Sequence, residues 1–388
     1  MMNAMMMDMF DSHKSEYVID LSCLSPEKQA KIWAERNKKE EPEYEPEPEP
    51  SHRETMLPDS ATERFAMLSR KIRMGMRLDD EDAKWYQYAK VLNETEITER
   101  TEREIDDRKL YREIRERCER DHLSESLASS VVPLIITYAQ GKALKPIILH
   151  GPEGCGKTFF ASLFAEYLGL PIVKISAPRA ETCHGYQGES RTYKSPDAGE
   201  FIRGIKETGT IANLFFIDEF DKAAENPESR VRQQDELLTI LSEMTIHENF
   251  MEFTIDISDS VLVFAINDIS VLSKPFVDRC MVIEFKETEL DKMTAIVRDY
   301  AKRELAPFYA GKVGFDESAL YLYSKKLYGM GITSIRQHEK LADEGFRQAY
   351  IRYLNSEILA SVTASASDYE LAIKVMGVTA ESHKTIGF

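Results

Sequence analysis

Eight consecutive residues are the strongest candidates for chemistry in this sequence, because they combine glycines with a lysine and a threonine. The glycines allow a tight turn in which successive backbone N–H groups point inward. Lys157 would neutralise the β- and γ-phosphates of a nucleotide, and the hydroxyl of Thr158 would bind Mg²⁺. The segment therefore predicts a loop that binds a nucleoside triphosphate and Mg²⁺. Its residues are Gly151, Pro152, Glu153, Gly154, Cys155, Gly156, Lys157 and Thr158.

An acidic pair, Asp218 and Glu219, ends an apolar run that begins at Leu214. Asp218 would reach the Mg²⁺ ion, and Glu219 would polarise a water for in-line attack on the γ-phosphorus. An acidic pair after a strand is weak evidence alone, because surface turns carry the same residues. The phosphate loop upstream makes the catalytic interpretation the favoured one.

Three more polar side chains stand next to predicted strands or helices. Asn267 follows an apolar run, where its neutral amide could orient the attacking water, although an asparagine there is usually a turn residue. Arg279 precedes another apolar run, and Arg336 lies in the first turn of a later helix. A lone arginine is most often a solvated or paired surface residue, so the pattern alone leaves both arginines open.

The apolar runs supply the scaffold that would bring these residues together. Helical patterns separate most of the runs, and such alternation predicts an α/β fold with a parallel sheet covered on both faces. Beyond Glu287 the predicted strands stop, and capping residues such as Thr288 and Asp316 predict a small all-α domain. The runs are 147–149, 171–175, 213–217, 261–266 and 281–285.

Composition divides the chain further. Residues 1–39 are too few to fold alone and predict a docking peptide, and residues 40–60 contain a Glu-Pro alternation typical of an extended linker. Residues 61–120 predict helices, one of them capped by Asp79. This helical region is either a packing arm or a recruitment element. An α/β domain (121–287) and a helical domain with a C-terminal tail (288–388) follow.

The charge and the cysteines exclude several classes of protein. The formal net charge of -17 disfavours non-specific binding to nucleic acid. The five cysteines are scattered singly, which argues against a disulfide framework or a zinc site and favours a reducing cytoplasm. No apolar run reaches the length of a membrane span, so we expect no membrane association.

The ordered motifs resemble the AAA+ ATPase family and, within it, the ATPase module of the Lon proteases. The phosphate loop and the acidic pair correspond to the Walker A and Walker B motifs. The resemblance extends over about residues 121–377, and it implies an AAA+ parallel-sheet domain followed by a helical lid. Further matching segments are residues 184–185, 191–193, 214–222, 253–258, 274–279 and 331–336.

The resemblance also assigns roles to single residues. Asn267 matches the sensor-1 position, Arg279 the arginine finger that acts on a neighbouring subunit, and Arg336 the sensor-2 arginine. His122 matches the entry to the module, where adenine binds. Because an arginine that acts in trans requires an oligomer, the resemblance implies a homo-oligomeric ring, usually a hexamer, that hydrolyses ATP with Mg²⁺.

Two departures from the family stand out. Tyr193 matches the pore-loop aromatic that grips a polypeptide, but Lys194 and Ser195 follow it where the family usually has an aliphatic residue and glycine. We find no peptidase region after the lid-like segment, and residues 1–120 do not resemble the substrate-binding domain of Lon proteases.

The sequence thus predicts a ring-forming ATPase that remodels or translocates a protein and could feed it to a separately encoded partner. One alternative is a nucleic-acid motor or loader on the same ATPase domain, which the acidic composition disfavours. The other is a switch or scaffold that hydrolyses ATP slowly, which the presence of Lys157, Glu219, Asn267 and Arg279 disfavours.

Overall fold

The computed structural model describes residues 57–95, 103–182, 185–193, 195–222, 227–356 and 360–377. The expected docking peptide and most of the expected linker lie outside these residues, as do His184 and Lys194. The helices are α1 (Asp59–Arg73), α2 (Asp80–Glu94), α3 (Asp107–Arg120), α4 (Glu125–Ala139), α5 (Lys157–Leu168), α6 (Ala177–Thr182), α7 (Glu200–Thr208), α8 (Pro227–Glu243), α9 (Lys274–Asp278), α10 (Leu290–Tyr300), α11 (Ala306–Phe308), α12 (Glu317–Gly329), α13 (Ile335–Leu354) and α14 (Ala366–Val375). The strands are β1 (Ile147–His150), β2 (Ile172–Ser176), β3 (Leu214–Asp218), β4 (Thr245–Glu248), β5 (Phe253–Asp256), β6 (Val261–Ile266), β7 (Met281–Glu284), β8 (Val313–Phe315) and β9 (Val362–Ala364).

The main sheet has five strands in the order β2-β3-β6-β1-β7, and every neighbouring pair is parallel. Ile147 of β1 pairs with Val263 of β6 on one side and with Met281 of β7 on the other. The apolar runs predicted all five strands, and each observed bound differs from its run by at most one residue. The predicted α/β fold with a parallel sheet is therefore confirmed.

Successive residues of the strands face opposite sides of the sheet, as the strand geometry requires. Ile148 and Phe215 belong to one hydrophobic cluster, and Ile147 and Phe216 belong to another. Residues of α1, α2, α7 and α8 complete the first cluster, whereas α3, α4 and α5 complete the second. The N-terminal helices thus cover both faces of the sheet, and α2 is capped by Asp79, as the sequence predicted.

A short antiparallel hairpin, β4–β5, lies between α8 and the central strand β6. Thr245 pairs with Asp256, and Glu248 pairs with Phe253 across a turn at residues 249–252. The sequence analysis predicted no hairpin here, because each strand has only four residues and gives little periodicity.

The C-terminal region has its own hydrophobic cluster, which contains Met293, Leu341 and Phe346. This helical lid corrects the sequence analysis in one detail, since it was predicted to be all-α but also contains the parallel strand pair β8–β9. Each of these strands has three residues, too few for a recognisable pattern. Asp316 caps α12 as predicted, but Thr288 does not cap α10, whose N-cap residue is Glu289.

Within the described residues, no helix combines the length and apolar character that a membrane crossing would require.

Candidate nucleotide site

The predicted phosphate loop connects the buried strand β1 to helix α5. Gly154 and Gly156 have φ angles of 72° and 96°, in the left-handed region that disfavours residues with a Cβ. A Cβ on Gly154 would also lie 2.2 Å from Oγ of Ser334, which precedes α13 in the lid. The backbone N–H of Ile335 donates to the Gly154 carbonyl at 3.2 Å, so the loop directly contacts the lid.

Lys157 lies at the start of α5 and is only 8% exposed. Its Nζ donates to the carbonyls of Gly151 at 2.6 Å and Pro152 at 2.9 Å, and to Oδ1 of Asn267 at 2.8 Å. Burial lowers the pKa of the ammonium group, while the Asp221 and Asp218 carboxylates act in the opposite direction. The structure thus brings the loop lysine and Asn267, distant in sequence, into direct contact.

A cleft of about 660 Å³ surrounds this lysine. Most of the candidate residues line it together, although they come from the loop, two strand ends, the segment before α4 and the lid. Of the loop residues, Gly151 and Pro152 do not line the cleft but contact Lys157 through their carbonyls. The candidates that line the cleft are His122, Glu153, Gly154, Cys155, Gly156, Lys157, Thr158, Asp218, Glu219, Asn267 and Arg336.

The two acidic residues at the end of β3 differ in environment. Burial raises the pKa of the Asp218 carboxyl, and the charges of Arg336 and Lys157 partly offset this effect. The Glu219 side chain is 45% exposed, and its Oε1 lies 3.0 Å from Nζ of Lys222. The Glu219 backbone has a φ of 56° and its N–H donates to Oδ1 of Asp218 at 2.9 Å. Asp218 and Glu219 therefore line the same cleft, although the left-handed backbone at Glu219 ends the extended strand.

Asp221 is a residue of this site to which the sequence analysis assigned no role. Its Oδ2 accepts the backbone N–H of Asn267 at 3.0 Å and that of Asp268 at 3.3 Å. The carboxylate therefore fixes the backbone from which the Asn267 amide projects. In the sequence, Asp221 could have been noticed as the third acidic residue of the 214–222 run, just after the predicted pair.

His122 joins the α/β domain to the lid at the cleft wall. Its Nε2 lies 2.9 Å from Oδ2 of Asp299 in α10, and its φ of 57° is left-handed. The apolar side chains of Leu123, Leu127 and Ile296 line the cleft as well. Such a wall suits the apolar faces of a nucleotide base.

The two candidate arginines occupy different places. Arg336 lines the cleft from the start of α13. Arg279 is exposed and is not among the residues lining the cleft, and its guanidinium donates to Oγ of Ser242 and to the Pro275 carbonyl, both at 2.9 Å. The structure therefore brings Arg336, but not Arg279, to the nucleotide cleft of the same chain.

Tyr193, the candidate pore-loop residue, is 64% exposed and does not line the cleft. It belongs to the connection between α6 and α7, which contacts the β4–β5 hairpin.

Comparisons with known proteins agree with this geometry. Residues 147–288 match the ATPase family associated with various cellular activities (AAA). The chain is 28% identical to a Lon protease of Porphyromonas gingivalis over 63% of this chain and 28% of that protein. It is 33% identical to a Lon protease of Brevibacillus choshinensis over 40% of this chain and 20% of that protein.

Among solved structures, a RuvB variant of Thermotoga maritima is similar with a TM-score of 0.45 and 16% identity, covering 66% of this chain and 71% of that one. Residues 147–288 thus resemble the AAA family of ATPases, and the chain, which spans 28% and 20% of the two Lon proteases named above, is similar to them over part of its own length.

Proposed function

We propose that this chain hydrolyses ATP with Mg²⁺ and, as a ring of subunits, uses the energy to remodel or translocate a protein. The observation that carries the proposal is the convergence of Lys157, Asp218, Glu219 and Asn267 on one cleft. These residues supply a phosphate-binding cation, a metal-binding carboxylate, a candidate base and a polar amide, which together suit phosphoryl transfer to water.

The residues present fit ATP and Mg²⁺. The cleft of about 660 Å³ lies in the range of ligand sites, and the left-handed glycines of its loop leave room for phosphate oxygens. Thr158 and Asp218 are the residues that would hold the metal ion, whose charge would offset that of the phosphates. Lys157 would exchange its present carbonyl partners for the phosphate oxygens.

Water activation falls to Glu219 and Asn267 in this proposal. Glu219 accepts a proton from the attacking water, and the Asn267 amide orients that water. The contact between Lys157 and Oδ1 of Asn267 determines which way this amide faces. Asp221 fixes the backbone on the other side, so the amide is held before any nucleotide binds.

The exposure of Arg279 supports a ring, because its guanidinium lies outside the cleft of its own chain. In a ring, Arg279 would enter the cleft of the neighbouring subunit and stabilise the charge that develops on the transferred phosphoryl group. A hexamer is the arrangement that the resemblance to AAA+ proteins favours.

A protein substrate is favoured over nucleic acid for two reasons. The chain carries a net charge of -17, which opposes binding to a phosphate backbone. The exposed Tyr193 offers a contact that tolerates many sequences, as a motor acting on unfolded polypeptide needs. The scattered cysteines favour a reducing, cytoplasmic location, and a separately encoded partner protein could receive the substrate.

A substrate trap tests the proposal. Glu219→Gln protein, held in ATP and Mg²⁺, is mixed with reduced, carboxymethylated α-lactalbumin or with single-stranded DNA, and the complexes are separated by size. We expect a ring-sized species that retains the polypeptide in ATP but not in ADP. Retention of DNA alone would favour the nucleic-acid alternative, and a monomer that retains neither would contradict the proposal.

A further inference from the structure

The loop that carries Tyr193 is closed at its base by backbone contacts. We call residues 185–193 and 195–199 the Tyr193 loop. The N–H of Glu200 donates to the Gly185 carbonyl at 3.2 Å, and the N–H of Glu189 donates to the Asp197 carbonyl at 3.1 Å. Asp197 therefore lies where the two arms of the loop meet.

The β4–β5 hairpin supports one side of the Tyr193 loop. The N–H of Asn249 donates to the Gln187 carbonyl at 2.7 Å, and its side-chain amide donates to the Gly188 carbonyl at 3.1 Å. Arg191, two residues from Tyr193, donates from Nε to the Phe250 carbonyl at 3.0 Å. The hairpin turn thus contacts the loop both before and after Glu189, the residue that bonds to Asp197.

Helix α2 of the N-terminal region supports the other side. The Tyr88 hydroxyl donates to Oδ1 of Asp197 at 3.0 Å. Nζ of Lys84, one helical turn earlier, donates to the Pro196 carbonyl at 3.3 Å and lies 3.6 Å from Oδ2 of Asp197. Two side chains on one face of α2 therefore hold the closing residue of the loop.

The same helix also holds the hairpin. Trp85 is 1% exposed, and its Nε1 donates to the Met251 carbonyl at 3.3 Å. The ring of Tyr88 meets the ring of Phe250 edge to face, with centroids 6.4 Å apart. Helix α2, the hairpin turn and the Tyr193 loop therefore form a closed set in which each part contacts the other two.

From these contacts we propose that α2 is a brace for the Tyr193 loop, with Tyr88 and Lys84 as positioning residues. The brace gives the N-terminal helical region a role in the action of the ATPase on its substrate, beyond covering the sheet. Its effect on substrate rests on the proposed function, whereas the brace itself does not. A partner that binds the N-terminal region can therefore alter the grip of Tyr193 without reaching the nucleotide cleft.

Hydrogen exchange of the loop amides tests the brace directly. Tyr88→Phe removes the hydroxyl but keeps the ring against Phe250, and we expect exchange across residues 186–199 to quicken about tenfold. Tyr86→Phe is the matched control, because Tyr86 lies on the same helix but stacks on Phe65, with centroids 5.2 Å apart. Equal exchange in the two variants would overturn the proposal.

A second variant keeps the test valid if Tyr88→Phe loosens the whole fold. Lys84 is partly exposed, and Lys84→Ala removes its contacts with Pro196 and Asp197 without opening the core. We expect it to quicken loop exchange about threefold while the Tm stays that of the wild type. Unchanged loop exchange in this variant would contradict the role of Lys84.

Measurements of basal and stimulated ATP turnover distinguish a positioning role of Tyr88 from a merely structural one. We expect Tyr88→Phe to keep basal turnover within about twofold, but to lose most of the stimulation caused by carboxymethylated α-lactalbumin. Equal losses of basal and stimulated turnover would indicate a structural role only. If the wild type itself shows no stimulation, the proposed function fails, while the exchange experiment still decides whether α2 braces the loop.

Discussion

The nucleotide cleft and the Tyr193 loop differ in which regions of the chain support them. In the cleft, Lys157 contacts carbonyls five and six residues earlier in its own loop and Oδ1 of Asn267, which follows β6. The Tyr193 loop and its hairpin depend on side chains of the N-terminal helix α2, from Tyr88 to Asp197 and from Trp85 to Met251. The lysine of the cleft is thus held by its own loop and by the end of a sheet strand, whereas the Tyr193 loop depends on an N-terminal helix.

We expect the cleft to need one charge from a neighbouring subunit, that of Arg279. Because Arg279 lies outside its own cleft, Arg279→Ala should lower turnover about a thousandfold through loss of a trans contact to the transferred phosphoryl group. Steady-state phosphate release measures this effect.

Mixed rings identify which subunit supplies the arginine. When Arg279→Ala subunits are mixed with Lys157→Ala subunits, an intact loop can meet an intact Arg279 at a shared interface, so turnover should recover in part. No recovery in rings shown to be mixed would place the arginine in cis or in a structural role.

A change at Glu219 should lower ATP turnover without lowering ATP affinity. Glu219→Gln removes the candidate base but keeps the size of the side chain, so turnover should fall on the order of a few hundredfold. ATP affinity, measured by calorimetry, should change little. Glu207→Gln, an exposed change on α7, serves as the control, and turnover near the wild-type rate in Glu219→Gln would remove Glu219 from the mechanism.

The loop lysine should matter most for binding. Lys157→Ala removes the buried ammonium group, and we expect ATP affinity to fall about a hundredfold, as for a strong charge-assisted contact. Lys145→Ala, which changes an exposed lysine just before β1, should bind ATP like the wild type. Equal affinities in the two variants would show that the phosphates bind elsewhere.

The hairpin that supports the Tyr193 loop should show itself in a pH dependence of stability. Glu248 of the hairpin is fully buried, and burial raises the pKa of its carboxyl to about 8. The folded state therefore retains a proton that the unfolded state loses, so Glu248 destabilises the fold increasingly as pH rises from about 4.5 to 8.

Glu248→Gln removes this titration, and an amide oxygen in the place of Oε1 can still accept the N–H groups of Gly199 and Phe250. Relative to the wild type, the variant should gain about 4 kcal/mol of unfolding free energy at pH 8.5 compared with pH 5, at about 1.4 kcal/mol per pKa unit. Urea unfolding at the two pH values measures the gain. Parallel stability curves for the two proteins would contradict the assignment.

The sequence separation of the contacts explains what could be predicted from the sequence. The phosphate loop and the five sheet strands follow from local composition, so their positions could be read directly. The role of Asp221 and the role of the hairpin could not be predicted, because each depends on a hydrogen bond between distant segments. Asn267 donates to Asp221, and Asn249 of the hairpin turn donates to the Gly188 carbonyl. The two strands of the lid could not be predicted for another reason. Each has three residues, which is too short a pattern to distinguish a strand from a turn.

The contact between Gly154 and the start of α13 has a mechanical consequence. Helix α13 has 20 residues, so it extends about 30 Å from the phosphate loop. A tilt of about 10° at the Gly154 contact would displace the far end of such a helix by about 5 Å, roughly its own pitch. The lid helix would therefore act as a lever that pivots at the loop contact, and a small movement of the loop would displace the far end of the helix by about one helical turn.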